Sequence, residues 1–186
     1  MFLKEYANLQ KEVGTRSYSS VFRIAREKWA SQFDKVRIEA SEEVKTIFYT
    51  ALYHSLLYPR KIDEYGRYYS AFDDAIHNGV MYNCWSMWDT YRAEHPLLTL
   101  VAPEHIDDMM QSLVEMFNEG GWLPKWPNPS YTGIMVGSPA ETILAEAWTK
   151  GFRGFDVEQA YAAIRKNATL PQVGDRDNQW PDRGNF

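Results

Sequence analysis

The sequence has few of the residues that build disulfides and metal sites. Cys84 is the single cysteine among 186 residues, so an intrachain disulfide and a cysteine-based zinc site are both excluded. The four histidines, at positions 54, 77, 95 and 105, do not show a metal-ligand spacing such as HExxH. The chain therefore carries neither a disulfide framework nor one of the common zinc motifs.

Runs of one charge sign and long apolar runs are also missing. The net charge is −5 and no stretch of Lys and Arg forms a basic stripe, which argues against a nucleic-acid partner. No apolar run approaches the roughly 18 residues of a membrane span, and residues 1–6 lack the apolar core of a signal peptide. We therefore expect no membrane partner for this sequence.

Aromatic residues, by contrast, are abundant. Phe, Trp and Tyr make up 15% of the chain, with seven Trp and twelve Tyr, which is high for a domain that only needs to pack. This excess favours a ligand with flat or ring-shaped faces.

Residues 82–92 concentrate this chemistry. Trp85 and Trp88 lie beside Asp89 and Arg92. The apolar C–H faces of a pyranose stack on indole rings, and its hydroxyls form charge-assisted hydrogen bonds with a carboxylate and a guanidinium. The stretch therefore favours a sugar site. The alternative is a buried helix whose aromatic residues fill volume, with Asp89 and Arg92 paired on its wetter face.

Apolar residues at steps of three and four predict a helical chain. The predicted helices cover about residues 19–31, 42–58, 82–100 with a bend at Pro96, 103–119, 139–150 and 157–167. Three amino-terminal caps are predicted. One is Ser41, the second is Ser138 with Glu141, and the third is Asp156 with Gln159. Residues 1–17 read as a loose lead-in, and no strand ladder is predicted.

Two long loops separate these helices. Residues 59–81 combine glycines, charges and a short aromatic run, which predicts a loop with a brief β-hairpin. Within it, Asp73, Asp74 and His77 could form a metal or acid–base cluster, since adjacent carboxylates raise each other's proton affinity; the alternative is a solvated turn. Residues 122–137 form a second loop, rich in Trp and Pro.

Paired helices with aromatic loops predict an all-α fold, and specifically part of an (α/α)6 toroid. The predicted divisions are a lead-in at 1–17, the partial toroid at 18–170 and a truncated loop at 171–186. A closed toroid of six hairpins needs about twice this chain. We expect the last two helices to expose the faces that further hairpins would cover, and the chain to self-associate through them. Those faces contain Ile143, Leu144, Trp148, Val157, Tyr161 and Ile164.

Several blocks resemble glycoside hydrolase family 92 and occur in the family's order. The blocks are residues 47–54, 66–70, 88–93 (which begin Trp-Asp-Thr), 120–126 (Gly-Gly-Trp-Leu-Pro-Lys-Trp) and 134–137. The resemblance implies a calcium-dependent, inverting exo-α-mannosidase that acts on mannose-containing glycans. It also implies that the catalytic toroid follows a β-sandwich, and that the full-length protein is secreted or periplasmic.

The resemblance also assigns roles to single residues. It implies that Trp88 and Asp89 form the pocket for the terminal mannose, with Asp89 accepting hydrogen bonds from its hydroxyls. Trp122 and Trp126 are implied at the rim. The chain departs from the family at Ser138 and Pro139, where many relatives carry His or Asp, so a contact made there in relatives is in question.

The resemblance further implies that the catalytic machinery lies elsewhere. Inverting hydrolysis needs two carboxyl groups about 6.5–9.5 Å apart. The family's general-acid glutamate, its base aspartate and its calcium-binding blocks correspond to positions beyond residue 186. We therefore expect no catalytic residue and no assignable calcium ligand in this sequence, and an inactive isolated chain. The alternative is a non-catalytic helical protein of the same fold that binds carbohydrate or acts as a scaffold.

Overall fold

The computed structural model describes residues 2–132 and 134–170, and helices dominate that part of the chain. The predicted loop at 171–186 lies outside the described residues. The helices are α1 (Phe2–Glu12), α2 (Tyr18–Phe33), α3 (Glu42–Ser55), α4 (Met87–Thr90), α5 (Glu94–Val101), α6 (Ile106–Gly120), α7 (Pro139–Thr149) and α8 (Val157–Thr169). The strands are β1 (Arg60–Lys61), β2 (Arg67–Ser70), β3 (Ala75–Asn78) and β4 (Tyr82–Asn83). Across this part of the chain, every helix is too short or too polar to cross a bilayer.

The chain divides into two compact units at His54 and Ser55. In the first unit, α2 begins at the cap Ser17, whose hydroxyl accepts from the Ser20 amide at 3.3 Å. Ser41 accepts from the Val44 amide at 3.4 Å at the start of α3, as its position in the sequence predicted. The helices predicted for residues 19–31 and 42–58 are confirmed as α2 and α3, although α3 ends at Ser55.

Aromatic rings pack between the helices of the first unit. The Trp29 ring lies 4.6 Å from that of Tyr53 and 5.7 Å from that of Phe33. The Tyr49 hydroxyl donates to the Val36 carbonyl at 2.9 Å. The Trp29–Tyr53 contact joins α2 to α3, and the hydrogen bond from Tyr49 ties α3 to the segment that follows α2.

The loose lead-in predicted at residues 1–17 is wrong for most of its length, since Phe2–Glu12 form α1. Tyr6, Leu9 and Val13 recur at steps of three and four, which is the helical spacing. Gly14, at φ +57°, ends the helix, and its amide donates to the Leu9 carbonyl. The many polar residues concealed this periodicity.

Helix α6 is the centre of the second unit. An apolar stripe recurs along α6 at helical spacing, as the sequence predicts, and most of it is core: Leu113 and Val114 are fully buried, whereas Phe117 is only half-buried. The helix packs against α7, α8 and β4. It ends where Gly121 adopts φ +86°, the left-handed conformation that glycine accepts at a helix carboxyl terminus, as the Gly-Gly pair predicted.

Short antiparallel strands correct the all-α prediction. The hairpin expected in residues 59–81 is present as β2 and β3, with Tyr68 opposite His77. A second pair joins β1 to β4. Helices still account for most of the described residues, so the fold is mainly helical.

The single helix predicted over residues 82–100 is wrong. Its first residues form β4, where the Tyr82 amide donates to the Ser112 hydroxyl of α6 at 2.9 Å. Cys84 then adopts φ +61°, which a helix does not allow, and α4 and α5 follow separately. Pro96 lies in the first turn of α5, where a missing amide hydrogen costs little, and the helix continues to Val101.

Helices α7 and α8 form as predicted. The backbone N–H of Gln159 donates to Asp156 Oδ1 at 3.0 Å, which caps α8. The capping box at Ser138 is wrong, because its side chain makes no cap hydrogen bond and Glu141 accepts instead from Asn167. The exposed face predicted on these helices is also partly wrong. Ile143 and Leu144 are buried, since α7 packs against α6, whereas Trp148 and Tyr161 are exposed.

Candidate functional site

A chain of two hydrogen bonds fixes the Asp89 carboxylate. The indole N–H of Trp126 donates to the Ser86 hydroxyl at 2.8 Å, and that hydroxyl donates to Asp89 Oδ2 at 2.5 Å. Asp89 lies in the short helix α4 and is exposed. An ionised carboxylate has about four lone-pair sites, so one bond from Ser86 leaves capacity for ligand hydroxyls.

Three further contacts hold the loop of residues 122–137 against this stretch. The Trp85 amide donates to the Pro127 carbonyl at 3.2 Å, and the Asn83 side-chain amide donates to the Pro129 carbonyl at 2.8 Å. The Cys84 thiol lies 3.4 Å from Asn128 Oδ1. Residues 127–129 are therefore held against residues 83–85, and Trp126 directly precedes this held segment.

Arg92 does not pair with Asp89. Its Nε donates to the Tyr91 hydroxyl at 2.8 Å, and its guanidinium lies 5.3 Å from the centre of the Trp88 ring. The ion pair considered for a purely structural helix is therefore not formed. Asp89 has no cation competing for its oxygens within the described part of the chain.

A cavity of about 460 Å³ opens beside Trp88, which is 37% exposed. This volume lies within the range typical of small-molecule sites. Its wall consists of Trp88, Tyr91, Val136, Gly137, Ser138, Pro139 and Thr142. Ser138 and Pro139, where the resemblance implies a departure from the family, thus line this cavity.

The four residues singled out from the sequence do not form one cluster. Trp126 and Asp89 are joined through Ser86, and Trp88 lines the neighbouring cavity. Trp122 is only 8% exposed, and the Lys166 ammonium lies 4.4 Å from its ring centre. Trp122 therefore packs in the interior.

Two neighbouring ionisable groups in α5 have shifted pKa values. Burial lowers the pKa of His95 to about 4, and its ring lies 5.3 Å from that of Trp85. Burial also raises the pKa of Glu94 to about 7. Both groups are therefore mainly uncharged at about pH 5.5, and the imidazole behind the aromatic stretch packs as a neutral ring.

The hairpin carries a second polar cluster. Asp73 and His77 lie together with Glu119 of α6, and their ligand atoms fall within 4.8 Å of one another. Asp74, which the sequence grouped with Asp73 and His77, instead accepts from the Tyr69 hydroxyl at 2.7 Å.

This cluster does not fit the calcium ion that the family resemblance implies. Calcium in proteins takes six to eight oxygen ligands, whereas this group offers one imidazole nitrogen and two carboxylates. In the described residues it is the one cluster of His, Cys, Asp and Glu with metal-ligand geometry. We therefore assign no calcium ligand here.

The sequence analysis did not identify two residues that belong to these sites, Ser86 and Glu119. Ser86 precedes Asp89 by three residues, the spacing of a capping box, and this signal could have identified it. Glu119 belongs to the apolar helix α6, and nothing in the sequence links it to the hairpin. Tertiary packing alone brings it to His77.

Comparison with known proteins gives a consistent result. Residues 5–185 match the glycosyl hydrolase family 92 catalytic domain. The inverting mannosidase BT2199 of family GH92 from Bacteroides thetaiotaomicron is 34% identical, with a TM-score of 0.85 over 92% of this chain and 24% of that chain. The GH92 glycosyl hydrolase ccman5 is 26% identical, with a TM-score of 0.73 over 90% of this chain and 24% of that one. A comparison with curated proteins found no match.

Proposed function

Because this chain belongs to glycosyl hydrolase family 92, we propose that it supplies the mannose-binding wall of an inverting exo-α-mannosidase. The chain spans about a quarter of the length of the two solved relatives. Activity on terminal α-mannose, a secreted or periplasmic location and closure into an (α/α)6 toroid are therefore proposals about the whole protein.

The hydrogen-bond chain from Trp126 through Ser86 to Asp89 carries this proposal. It holds an exposed carboxylate in one orientation through a neutral hydroxyl donor. Sugar hydroxyls donate well to such a carboxylate, and a preoriented acceptor loses less entropy on binding. Trp88 lines the cavity and is partly exposed, so its indole ring is available for the C–H face of a sugar to stack on.

In the proposed reaction this wall binds and orients the terminal mannose. Asp89 accepts hydrogen bonds from ring hydroxyls and fixes the face of the sugar presented to the attacking water. Inversion requires one carboxylic acid to protonate the leaving oxygen and one carboxylate to activate the water. The family resemblance implies that both come from sequence beyond residue 186, so we assign neither role to a residue described here.

Replacement of Asp89 tests the binding proposal. We expect Asp89→Asn to weaken binding of methyl α-mannoside to the purified chain by roughly 10-fold or more, because a hydrogen bond to a charged group contributes about 1.5–3 kcal/mol. Isothermal titration calorimetry measures the affinity, and a thermal melt reports the fold. Asp74→Asn, on the exposed hairpin, is the matched control and should leave the affinity unchanged.

A different pattern would contradict this role. If Asp89→Asn lowered the melting temperature while the affinity for methyl α-mannoside stayed at the wild-type value, Asp89 would be a structural partner of Ser86. Equal weakening by Asp74→Asn would show that only overall charge matters.

Hydrolysis gives a second test. We expect the chain alone to show no turnover of an aryl α-mannoside, with or without calcium, because general acid–base catalysis supplies roughly 10²–10⁴-fold for each group. Turnover above background that a mannosidase inhibitor abolishes would show that the acid and base lie within these residues. Binding without turnover is also what the alternative, a non-catalytic carbohydrate-binding protein, predicts. Assay of a longer protein containing this chain separates the two.

A further inference from the structure

The cluster on the hairpin brings together three side chains from a turn, a strand and a helix. Asp73 lies in the turn between β2 and β3, His77 in β3, and Glu119 in the last turn of α6. His77 Nε2 lies 2.8 Å from Asp73 Oδ2 and 3.8 Å from Glu119 Oε1. Two ligand atoms of a tetrahedral zinc ion are about 3.3 Å apart, given bonds of about 2.0–2.1 Å. Small side-chain movements would therefore place all three on one ion.

Glu119 provides independent evidence for a ligand. Its side chain is only 4% exposed, and its Oε2 atom is buried without a hydrogen-bond partner in the part of the chain that the structure describes. Leaving a carboxylate oxygen buried and unpaired is unfavourable, and native proteins rarely do so without a bound water or ion. A cation coordinated through Oε2, or through both carboxylate oxygens, would satisfy this atom, whereas coordination by Oε1 alone would not.

Tyr68 holds two of the three groups in place. Its ring stacks on His77 with centres 5.6 Å apart, and its hydroxyl donates to Glu119 Oε1. Metal-ligating carboxylates commonly have such an outer partner, which fixes their orientation.

We propose that Asp73, His77 and Glu119 bind a divalent first-row transition-metal cation, with Zn²⁺ as the test ion, and that the ion clamps the β2–β3 hairpin to α6. One imidazole nitrogen and two carboxylate oxygens suit Zn²⁺ or Mn²⁺ better than Ca²⁺. Three protein ligands leave a fourth position for water on the side where Asp73 and His77 are partly exposed. Coordination of His77 Nε2 replaces its present hydrogen bond to Asp73.

Zinc titration of the purified chain and three variants tests this site. We expect one Zn²⁺ per chain, measured by competition with a chromophoric chelator. Both His77→Gln and Glu119→Gln should weaken binding by at least about 10-fold. His54→Gln is the matched control, because it removes an exposed histidine from the first unit and leaves the cluster intact; its affinity should equal that of the wild type.

Two further measurements make the result decisive. Nitrogen-detected NMR of the four imidazoles should show His77 Nε2 shifting on addition of Zn²⁺ while His54 does not. His77 is partly exposed, so His77→Gln should remain folded by circular dichroism even if Glu119→Gln does not. The proposal is overturned if a folded chain shows no saturable binding of Zn²⁺. It is equally overturned if His54→Gln weakens binding as much as His77→Gln, or if Ca²⁺ displaces Zn²⁺ stoichiometrically.

Discussion

Helices α3 and α6 carry similar apolar patterns but have opposite environments. In α6, Leu113 and Val114 are completely buried. In α3, Val44 is 49% exposed and Ile47 is 64% exposed, although both occur at helical spacing. Apolar residues at helical spacing therefore indicate a helix and its apolar face, but they do not indicate whether another element covers that face. Packing partners, which the period does not encode, decide the burial.

The sharpest test of this contrast is truncation in α6. Leu113→Ala should lower the free energy of unfolding by about 2–5 kcal/mol, because it removes buried methyl groups and leaves a cavity in tightly packed surroundings. Urea unfolding followed by circular dichroism measures this change. A loss below 1 kcal/mol would mean that α6 is not the centre of a fixed core.

Glu94 and His95 of α5 should make the free energy of unfolding depend on pH, because burial shifts the pKa of each. The folded pKa of His95, about 4, lies below its ordinary 6.5, so its contribution to stability is complete above pH 6.5 and is lost as the pH falls towards 4. The folded pKa of Glu94, about 7, lies above its ordinary 4.5, so its contribution is complete below pH 4.5 and is lost as the pH rises towards 7. Between pH 4.5 and 6.5 the two trends oppose each other.

The difference in stability between the wild type and each single variant therefore isolates the pH dependence of the group that the variant lacks. Relative to Glu94→Gln, the wild type should lose stability as the pH rises from 4.5 to 7. Relative to His95→Gln, it should lose stability as the pH falls from 6.5 to 4, by about 3 kcal/mol. Urea unfolding across this pH range measures both differences. Differences that do not change with pH would show that neither group is buried as described.

The smallest effect is expected at the exposed face. Ile47→Ala should change the free energy of unfolding by no more than about 0.5 kcal/mol, since the side chain is mainly in solvent and truncation removes few contacts. The same urea experiment applies, with Leu52→Ala, at a 5% exposed position of the same helix, as the matched comparison. If Ile47→Ala were as costly as Leu52→Ala, a partner would cover this face in solution.

Much of the fold was predictable because the information is local. The stripe of α6, its glycine end and the cap at Asp156 depend on neighbours within a few residues. The error at residues 82–100 arose because aromatic residues suit both helices and strands. The left-handed Cys84 and the hydrogen bond from Tyr82 to Ser112 decided that choice, and both depend on tertiary structure.

In the candidate sites too, residues that are neighbours in the sequence could be predicted to act together, and residues joined only by tertiary packing could not. Trp88 and Asp89 stand close together in the sequence, so their shared chemistry was visible before folding. Ser86 was visible through its spacing, but its donor Trp126 comes from a distant loop. Glu119 was not predictable, since helical spacing placed it beside core residues and only packing brings it to His77.

The hydrogen bond from Trp126 gives this molecule an internal spectroscopic probe. Its indole N–H donates to the hydroxyl that in turn donates to Asp89, so a change in the electron density of the carboxylate polarises both bonds. The indole proton resonance of Trp126 should therefore move when a hydroxylated ligand binds Asp89, together with that of Trp88 in the cavity wall. The Trp126 resonance would then report how much of the site at Asp89 is occupied by an unlabelled sugar. The measurement needs neither a chromogenic substrate nor turnover.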